Sequence, residues 1–285
     1  MDKTYSDYAA SKTVELLGID SPTGFTARAA EWVKAQFEAL GYTASITEKG
    51  GVLIELDGEN AADALLLEAH TDTLGGMVAE IKSNGRLRLT NLGGLCAANC
   101  ETENARLYTR GGAVIEGTLQ LCNASIHVNG DFADTKRSFD TTELVLDEDV
   151  KSAEDTRALG VEVGHGGAGS VPTGVTEAIS VDMGCIGDGL QCTERQVSIC
   201  AKDSGGPYSY EVVGKLIDAA KAEGADYSVD VYPHYGSDVE ATLGSGCDIR
   251  HGLIGAGVYA SHGYERSHLD GVYNTLKVLK GYLKI

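Results

Sequence analysis

The chain has 285 residues, with 23 lysines and arginines against 42 aspartates and glutamates, which gives a formal net charge of −19. A chain of this length buries a substantial core in one large or two modest domains, which excludes small folds held together by disulfides or metal ions. The negative charge repels nucleic acid backbones and anionic membrane surfaces, so neither is expected as a partner. The 37 glycines are roughly twice the usual share and indicate many tight turns.

The cysteines and the amino-terminal segment indicate a cytoplasmic protein. The seven cysteines are odd in number and form no C-x-x-C pair, which favours reduced thiols over a disulfide framework. The amino-terminal segment has no apolar stretch before a small-residue cleavage site, and no run approaches the ~18 apolar residues of a membrane span. We therefore expect a soluble, cytoplasmic chain.

The first third of the chain alternates helix and strand patterns. A first amphipathic helix carries the apolar residues Tyr8, Val14, Leu16 and Leu17. A second helix begins after Thr26, its predicted cap, and ends at Gly41. Runs at 43–47 and 52–56 predict a hairpin, and the apolar run 64–67 predicts a strand buried on both faces because it does not alternate.

From residue 76 to 160 the pattern changes to a separate all-β module. Its short strands are predicted at 77–81, 86–89, near 107, and at 114–121 and 144–146. A short helix closes the module, with Ser152 as its cap and Gly160 as its end.

After the β module the α/β pattern returns. Central strands are predicted at 178–183 and 197–200, a helix at 208–222, a strand at 227–232 and a carboxy-terminal helix through Leu276. The predicted fold class is therefore α/β: a mixed sheet with flanking helices, formed by 1–75 and 161–285, plus an inserted small β-barrel-like domain at 76–160.

Chemically useful side chains lie at the ends of two predicted strands. His70, Thr71 and Asp72 follow the strand at 64–67, and Asp182 ends the strand at 178–183. Ligands of open α/β sheets bind at the carboxyl ends of strands. In a His-x-Asp sequence the imidazole can bind a metal ion while the carboxylate orients it. Because H-x-D also occurs by chance, the spacing alone leaves both interpretations open.

Two further segments each admit two interpretations. Residues 261–270 contain His262 and His268, which are either a zinc ligand with a substrate anchor or the capped start of a helix. The pair Ser237 and Asp238 either binds a substrate group or caps a helix.

The glycine-rich segment at 164–169 is a false match to two motifs. The Gly164-x-Gly166-x-x-Gly169 spacing fits the dinucleotide fingerprint, but Pro172 follows where a helix should begin. His165 with its two following glycines is similar to an esterase oxyanion loop, but the chain has no G-x-S-x-G to supply the nucleophile.

Taken in order, these segments resemble metallopeptidase family forty-two, the cytoplasmic dinuclear aminopeptidases that build tetrahedral assemblies. The resemblance covers nearly the whole chain and rests on segments 21–25, 70–72, 162–168, 181–184, 235–238 and 261–262. It implies a catalytic α/β domain, an inserted β domain used for homo-oligomerisation, peptide substrates, and two zinc or cobalt ions that activate water.

The resemblance also implies roles for five residues. His70 and Asp182 correspond to ligands of one metal ion. Glu162 and His262 correspond to ligands of the other, with His268 open as an alternative to His262. Asp72 would orient His70, and Asp72 and Glu162 together would be the catalytic acids.

The chain departs from the family between the β module and Gly164. There the family has a further strand, an Asp-Asp pair opening a helix whose acid bridges both metals, and a strand ending in Glu-Glu. This chain runs directly from Gly160 into Val161 and Glu162, so Glu162 stands for the second glutamate and Val161 replaces the general base. Glu68 or Asp238 would have to compensate for the missing bridge.

This departure predicts exposed apolar faces, an incomplete catalytic domain and impaired activity. An aminopeptidase by descent is the first hypothesis. The second is a non-catalytic oligomerising relative that retains at most one metal ion. A third, a glycosidase using a carboxylate pair, rests only on the acidic composition.

Overall fold

The computed structural model describes residues 3–56, 58, 64–164, 175–244 and 249–285. The helices in these residues are α1 (Thr4–Leu17), α2 (Ala27–Ala39), α3 (Ala97–Cys100), α4 (Ala153–Ala158), α5 (Tyr210–Ala222), α6 (Asp238–Gly244) and α7 (Leu269–Leu283). The strands are β1 (Thr43–Ile46), β2 (Val52–Glu55), β3 (Ala64–Glu68), β4 (Gly75–Ile81), β5 (Leu87–Leu92), β6 (Asn104–Tyr108), β7 (Val114–Leu121), β8 (Thr142–Leu146), β9 (Val175–Cys185), β10 (Val197–Lys202), β11 (Tyr227–Val231) and β12 (Arg250–Val258). The predicted α/β class with a mixed sheet and flanking helices is confirmed.

The described residues divide into two units. The α/β unit contains residues 3–21, 26–71 and the described part of 175–285, and the β unit contains 22–25 and 72–164. Asp72 and Glu162 therefore belong to the β unit, although the sequence places them in the catalytic-type domain. The roles assigned to the two units, catalysis and oligomerisation, stay predictions.

The α/β unit is built on a five-stranded mixed sheet in the order β11-β10-β12-β9-β3. Strands β3, β9 and β12 run parallel to one another, and β10 and β11 run the other way. Alternate side chains of a strand point to opposite faces. Ile179 and Ile199 thus join the apolar core with α5 and α7, while Ser180 and Asp182 point to the other face.

Strand β3 differs from its prediction because it lies at the edge of this sheet. Its described partner is β9 alone, and all five of its residues are only half-buried. The prediction of burial on both faces is therefore wrong. Strands β1 and β2 form a separate two-stranded sheet in the described residues.

The amino-terminal helices leave apolar side chains exposed. Val14 and Leu17 of α1 are 74% and 65% exposed, and Leu40 after α2 is 60% exposed. That the missing stretch causes this exposure stays a prediction. Thr26 stands before α2 as predicted, but its side chain makes no capping hydrogen bond.

Strand β12 is absent from the sequence prediction because three of its nine residues are glycines, which disfavour strands. The glycines are required by close backbone approaches. A Cβ at Gly255 would lie 2.2 Å from the carbonyl oxygen of Asp182, and one at Gly257 would lie 2.2 Å from that of Thr193. Packing of neighbouring chain segments, rather than local propensity, therefore places this strand.

The β unit contains an antiparallel sheet in the order β4-β5-β8-β7-β6, around a core that includes Leu87, Leu144 and Val161. Its closing helix α4 begins with a capping box between Ser152 and Asp155, and Gly160 follows with a φ of +84°. The predicted cap and end of this helix are confirmed.

An ion-pair cluster around a buried carboxylate connects two segments of this sheet. Glu143 of β8 is 2% exposed, and its carboxylate accepts hydrogen bonds from Lys82 Nζ at 2.6 Å and Arg86 Nη1 at 2.5 Å. Both cations lie in the turn between β4 and β5, so the cluster fixes this turn against β8. Burial by itself would raise the pKa of Glu143, but the hydrogen bonds from Lys82 and Arg86 outweigh it and lower that pKa.

Replacing Glu143 with glutamine should lower the free energy of unfolding at pH 7 by about 1–3 kcal/mol, because two cations lose their buried partner. A carboxyl with a lowered folded-state pKa contributes stability above its unfolded pKa, and this contribution is lost as the pH falls through the folded value. Wild-type stability in urea unfolding should therefore fall in the acid range more steeply than that of Glu143→Gln.

The matched control for this experiment is Glu116→Gln, which removes an exposed carboxylate from β7 of the same sheet. Equal stability and equal pH dependence for wild type, Glu143→Gln and Glu116→Gln would contradict the assigned role of the cluster.

Candidate metal centre

The pairing of β3 with β9 brings His70 next to Asp182. The two strands are parallel, with Glu68 opposite Ser180, so residues two positions further along each chain also lie side by side. His70 Nε2 is 3.9 Å from Asp182 Oδ1. The imidazole is 49% exposed and the carboxylate 17%, which leaves this pair accessible from one side.

Tyr235 supports Asp182 from the loop after β11. Its hydroxyl donates a hydrogen bond to the Asp182 carboxylate, and its ring lies 5.2 Å from that of Tyr232, centroid to centroid. Burial, together with the negative charge of Asp182, raises the pKa of Tyr235, so the phenol stays protonated and remains a donor. The loop that contains Ser237 and Asp238, for which the sequence allows substrate binding or a helix cap, thus also contributes Tyr235. This tyrosine positions the Asp182 carboxylate.

Segment 21–23 holds the residues that follow β3. Ser21 Oγ donates a hydrogen bond to the carbonyl oxygen of Thr71 at 2.9 Å, and Thr23 Oγ1 donates to Asp72 Oδ2 at 2.5 Å. These two bonds give Ser21 and Thr23 a structural role, because each hydroxyl bonds the segment that contains His70 and Asp72. The orienting role of Asp72 toward His70 stays a prediction.

Glu162 lies in the β unit and pairs there with Arg110. Its Oε2 is 3.1 Å from Arg110 Nε, with the two side chains 64% and 56% exposed. The neighbouring Val161, which stands where the family has its general base, is 2% exposed in the core of the β unit. An exposed ion pair is weak, so it does not prevent Glu162 from binding a metal ion. The ligand role of Glu162 stays a prediction.

His262 lies in the loop before α7 with a φ of +60°. Its backbone N–H donates to Glu265 Oε1 at 2.9 Å, which helps to fix this loop. The preceding residue, Ser261, contacts Met183 with Oγ and Sδ 3.3 Å apart, which brings the loop next to the residue after Asp182. The ligand role of His262 also stays a prediction.

His268 is the cap of α7, so the structure shows this histidine as part of a capped helix start. Its Nδ1 accepts a hydrogen bond from the backbone N–H of Asp270 at 3.0 Å and lies 3.4 Å from Arg195 Nη1. Arg195 in turn bonds Asp270 Oδ2 at 2.6 Å. The choice between His262 and His268 as the metal ligand stays a prediction.

Ser237 is likewise structural. It is 6% exposed and accepts a hydrogen bond from the backbone N–H of Glu240 at 3.3 Å, within the first turn of α6. Its hydroxyl also bonds the hydroxyl of Tyr208 at 2.7 Å. The helix-cap interpretation therefore applies to Ser237.

Glu68 and Asp238 form a pair of neighbouring carboxyls in the α/β unit. Burial, and then the negative charge of Asp238, raise the pKa of Glu68 to about 7. The sequence names these residues as substitutes for the missing bridging acid, and the structure brings the two within electrostatic reach of each other.

The residues present fit one divalent ion in part. Two ligands about 2.1 Å from a tetrahedral metal ion lie roughly 3.4 Å apart, close to the 3.9 Å between His70 and Asp182. Imidazole and carboxylate are also suitable ligands for zinc and cobalt. Within the described part of the chain, no group of three or more His, Cys, Asp or Glu side chains is arranged to hold a metal ion. His165 and its following glycines lie outside the described residues.

The comparison with protein families matches most of this chain. The model of the M42 glutamyl aminopeptidases matches residues 50–165 and 162–278. These two segments meet at 162–165, which is where the sequence predicts a missing stretch.

The comparison with one relative requires gaps within this chain. The provisionally named aminopeptidase YhfE of Bacillus subtilis (strain 168) is 32% identical over 330 aligned positions, covering 95% of each chain. The aligned 95% of this chain is about 271 of its 285 residues, and 330 − 271 leaves about 59 alignment positions opposite gaps in this chain. The gaps support the inferred deletion.

Solved structures show the same fold at lower sequence identity. The aminopeptidase APDkam598 of Desulfurococcus kamchatkensis has a TM-score of 0.82 at 16% identity, over 98% of this chain and 95% of its own. The TET1 peptidase of Pyrococcus horikoshii has a TM-score of 0.78 at 16% identity, over 95% of this chain and 98% of its own. Together with the family match, these findings show that the chain belongs to the M42 glutamyl aminopeptidase family of hydrolases.

Proposed function

We propose that this chain is a metal-dependent aminopeptidase that releases N-terminal residues from peptides, with a zinc or cobalt ion held by His70 and Asp182. The observation that carries the proposal is the 3.9 Å approach of His70 Nε2 to Asp182 Oδ1 in an M42 family member, where the chain leaves the carboxyl end of β3 beside the last third of the parallel strand β9. Ligands of α/β sheets bind at such strand ends.

The chemistry divides between the ion and the side chains around it. A divalent ion bound here would lower the pKa of a coordinated water and polarise the scissile carbonyl. Asp182 would bind the ion with one carboxylate oxygen, while the hydrogen bond from Tyr235 fixes the direction of the carboxylate. Asp72, held by Thr23, would orient His70, and Glu162 and His262 would supply ligands for a second ion.

We expect the missing stretch to limit this activity. By the resemblance, the family's bridging acid has no counterpart in this chain, and Val161, at the position of the general base, cannot accept a proton. We therefore expect slower turnover than in relatives that retain both acids. The alternative is a non-catalytic oligomerising relative with at most one metal ion. It agrees with the described residues, in which no group of three or more His, Cys, Asp or Glu side chains is arranged to hold a metal ion.

The partners and location follow the same proposal. The Pyrococcus horikoshii TET1 peptidase can assemble into a tetrahedron or a large octahedral shell. We infer that this chain forms homo-oligomers, with residues 76–160 as the contact region. A cytoplasmic location agrees with the six cysteines of the described residues that form no disulfide. Among the described helices, none is both long and apolar enough to cross a membrane.

His70→Ala and Asp182→Asn should each remove the bound ion and lower aminopeptidase activity by about 100-fold or more, because loss of a direct ligand costs at least as much as loss of a second-shell group. Metal content by elemental analysis and turnover of a peptide anilide measure the two effects. The control is His127→Ala, which removes an exposed histidine from the β unit. Chelator-resistant turnover, or wild-type metal content in His70→Ala, would contradict the proposal.

His262→Ala and His268→Ala should have opposite consequences. Loss of His262 should weaken metal binding and lower activity with little change in the melting temperature. Loss of the His268 cap should lower the free energy of unfolding by about 1 kcal/mol and leave the metal content unchanged. The reverse pattern would make His268 the ligand.

A further inference from the structure

Asp230 of β11 is a buried carboxylate on the face of the mixed sheet that points away from α5 and α7. The residue is 4% exposed, and its neighbour Val229 points to the opposite face and packs there with the apolar core. Asp230 Oδ2 accepts hydrogen bonds from Ser198 Oγ at 3.0 Å and from Ser228 Oγ at 2.7 Å. Its Oδ1 accepts one from the backbone N–H of Gln191 at 2.7 Å. Burying a carboxylate is costly unless hydrogen bonds satisfy it, so these bonds fix the carboxylate and both serine hydroxyls.

Ser198 connects Asp230 to a second buried hydroxyl, that of Tyr232. The Tyr232 hydroxyl donates a hydrogen bond to Ser198 Oγ at 2.6 Å, and Tyr232 is only 1% exposed. A serine hydroxyl has one proton to donate and lone pairs that accept. Because Ser198 donates its proton to Asp230, it accepts from Tyr232 and fixes the direction of that phenol. We call Asp230, Ser198 and Tyr232 the Asp230 network.

Tyr235 is held by this network at its ring and by Ser204 at its backbone. The rings of Tyr232 and Tyr235 lie 5.2 Å apart between centroids, at an interplanar angle of 57°, which is a favourable aromatic contact. The backbone N–H of Tyr235 donates to Ser204 Oγ at 3.0 Å, and the backbone N–H of Ser204 donates to the carbonyl oxygen of Tyr235 at 3.1 Å. With ring and backbone both fixed, the Tyr235 hydroxyl is directed to Asp182.

The sheet sets the distance that the two tyrosines span. Ser198 pairs with Gly255, and Gly255 pairs with Asp182, so the side chains of Ser198 and Asp182 point to the same face, two strands apart. Neighbouring strands are about 4.8 Å apart, which places the two residues roughly 10 Å from each other. Ser198 is therefore too far away to bond Asp182 directly, and Tyr232 and Tyr235 provide the connection.

We propose that Asp230, Ser198 and Tyr232 are positioning residues, which fix the Tyr235 phenol and through it the direction of the Asp182 carboxylate. The inference rests on the proposed function in its last step, where that carboxylate binds a metal ion. Hydrogen-bond partners that orient a ligand typically contribute 10- to 100-fold to metal affinity. The Asp230 network extends this orientation from the surface of the site to a buried carboxylate two strands away.

The test is a double-mutant cycle on the Zn²⁺ affinity of chelator-stripped full-length protein, measured by competition with a chromophoric chelator. Tyr235→Phe should weaken Zn²⁺ binding by about tenfold or more, because it removes the hydrogen bond to the ligand. Tyr232→Phe, Ser198→Ala and Asp230→Asn should each weaken it by about threefold, because they act only through Tyr235. In the Tyr235→Phe background none of the three should cause a further loss, since residues that act through one group are not additive.

Tyr282→Phe is the matched control for a merely structural effect. It also removes a tyrosine hydroxyl that is bonded to β9, since Tyr282 donates to Glu177 Oε1 at 2.5 Å, five residues before Asp182. It should leave Zn²⁺ affinity unchanged. If Asp230→Asn fails to fold, Ser198→Ala and Tyr232→Phe remove single hydroxyls and test the same network.

Fluorine magnetic resonance gives a second measurement that needs neither metal nor turnover. With 3-fluorotyrosine at position 235 of the metal-free protein, Ser198→Ala should shift or broaden the resonance and Tyr282→Phe should not. An equal loss of Zn²⁺ affinity from Tyr232→Phe with and without the Tyr235 hydroxyl, or a resonance unchanged by Ser198→Ala, would overturn the inference. Equal Zn²⁺ binding by wild type and His70→Ala, with a resonance that Ser198→Ala shifts, would support the positioning of Tyr235 and contradict the proposed function alone.

Discussion

The parallel pairing of β3 with β9 brings together His70 and Asp182, the two residues that carry the proposed chemistry of the α/β unit. The register that sets Glu68 opposite Ser180 also sets His70 beside Asp182, two residues further along. A shift of one residue would turn the side chains of β3 to the opposite face and separate both pairs. The hydrogen bond from Ser21 to Thr71 and the one from Tyr235 to Asp182 hold the ends of the two strands in this arrangement.

Both faces of the central part of this sheet are covered. One face packs its isoleucines and valines against α5 and α7. The other face carries the buried residues Cys200 and Leu253 beside Ser180, which is 0% exposed. Apolar exposure lies elsewhere: β3, at the edge, is only half-buried, and Val14, Leu17 and Leu40 are exposed in the amino-terminal segment. We expect a chain that lacks a strand and a helix of its family to leave such surfaces, and these surfaces favour association.

The sequence predicted most of the fold because its strands and helices have clear periodicity and clear ends. The closing helix of the β unit, with Ser152 before it and Gly160 after it, shows this well. Strand β12 could not be predicted, since Gly255 and Gly257 are explained only by contacts with the backbone of residues about 60–75 positions earlier. At the site, position after an apolar run identified His70, and position near the end of a predicted strand identified Asp182. Ser180 gave no signal, because its neighbours in the sequence do not show that it faces Glu68.

The most direct test of the account is the anomalous X-ray scattering of zinc or cobalt in crystals of the full-length protein. We expect a peak about 2.0–2.2 Å from both His70 Nε2 and Asp182 Oδ1, which would place the ion on the two ligands that the β3 and β9 pairing brings together. A peak bound to neither residue, or full loading of the crystal with no peak at this strand end, would contradict the central claim.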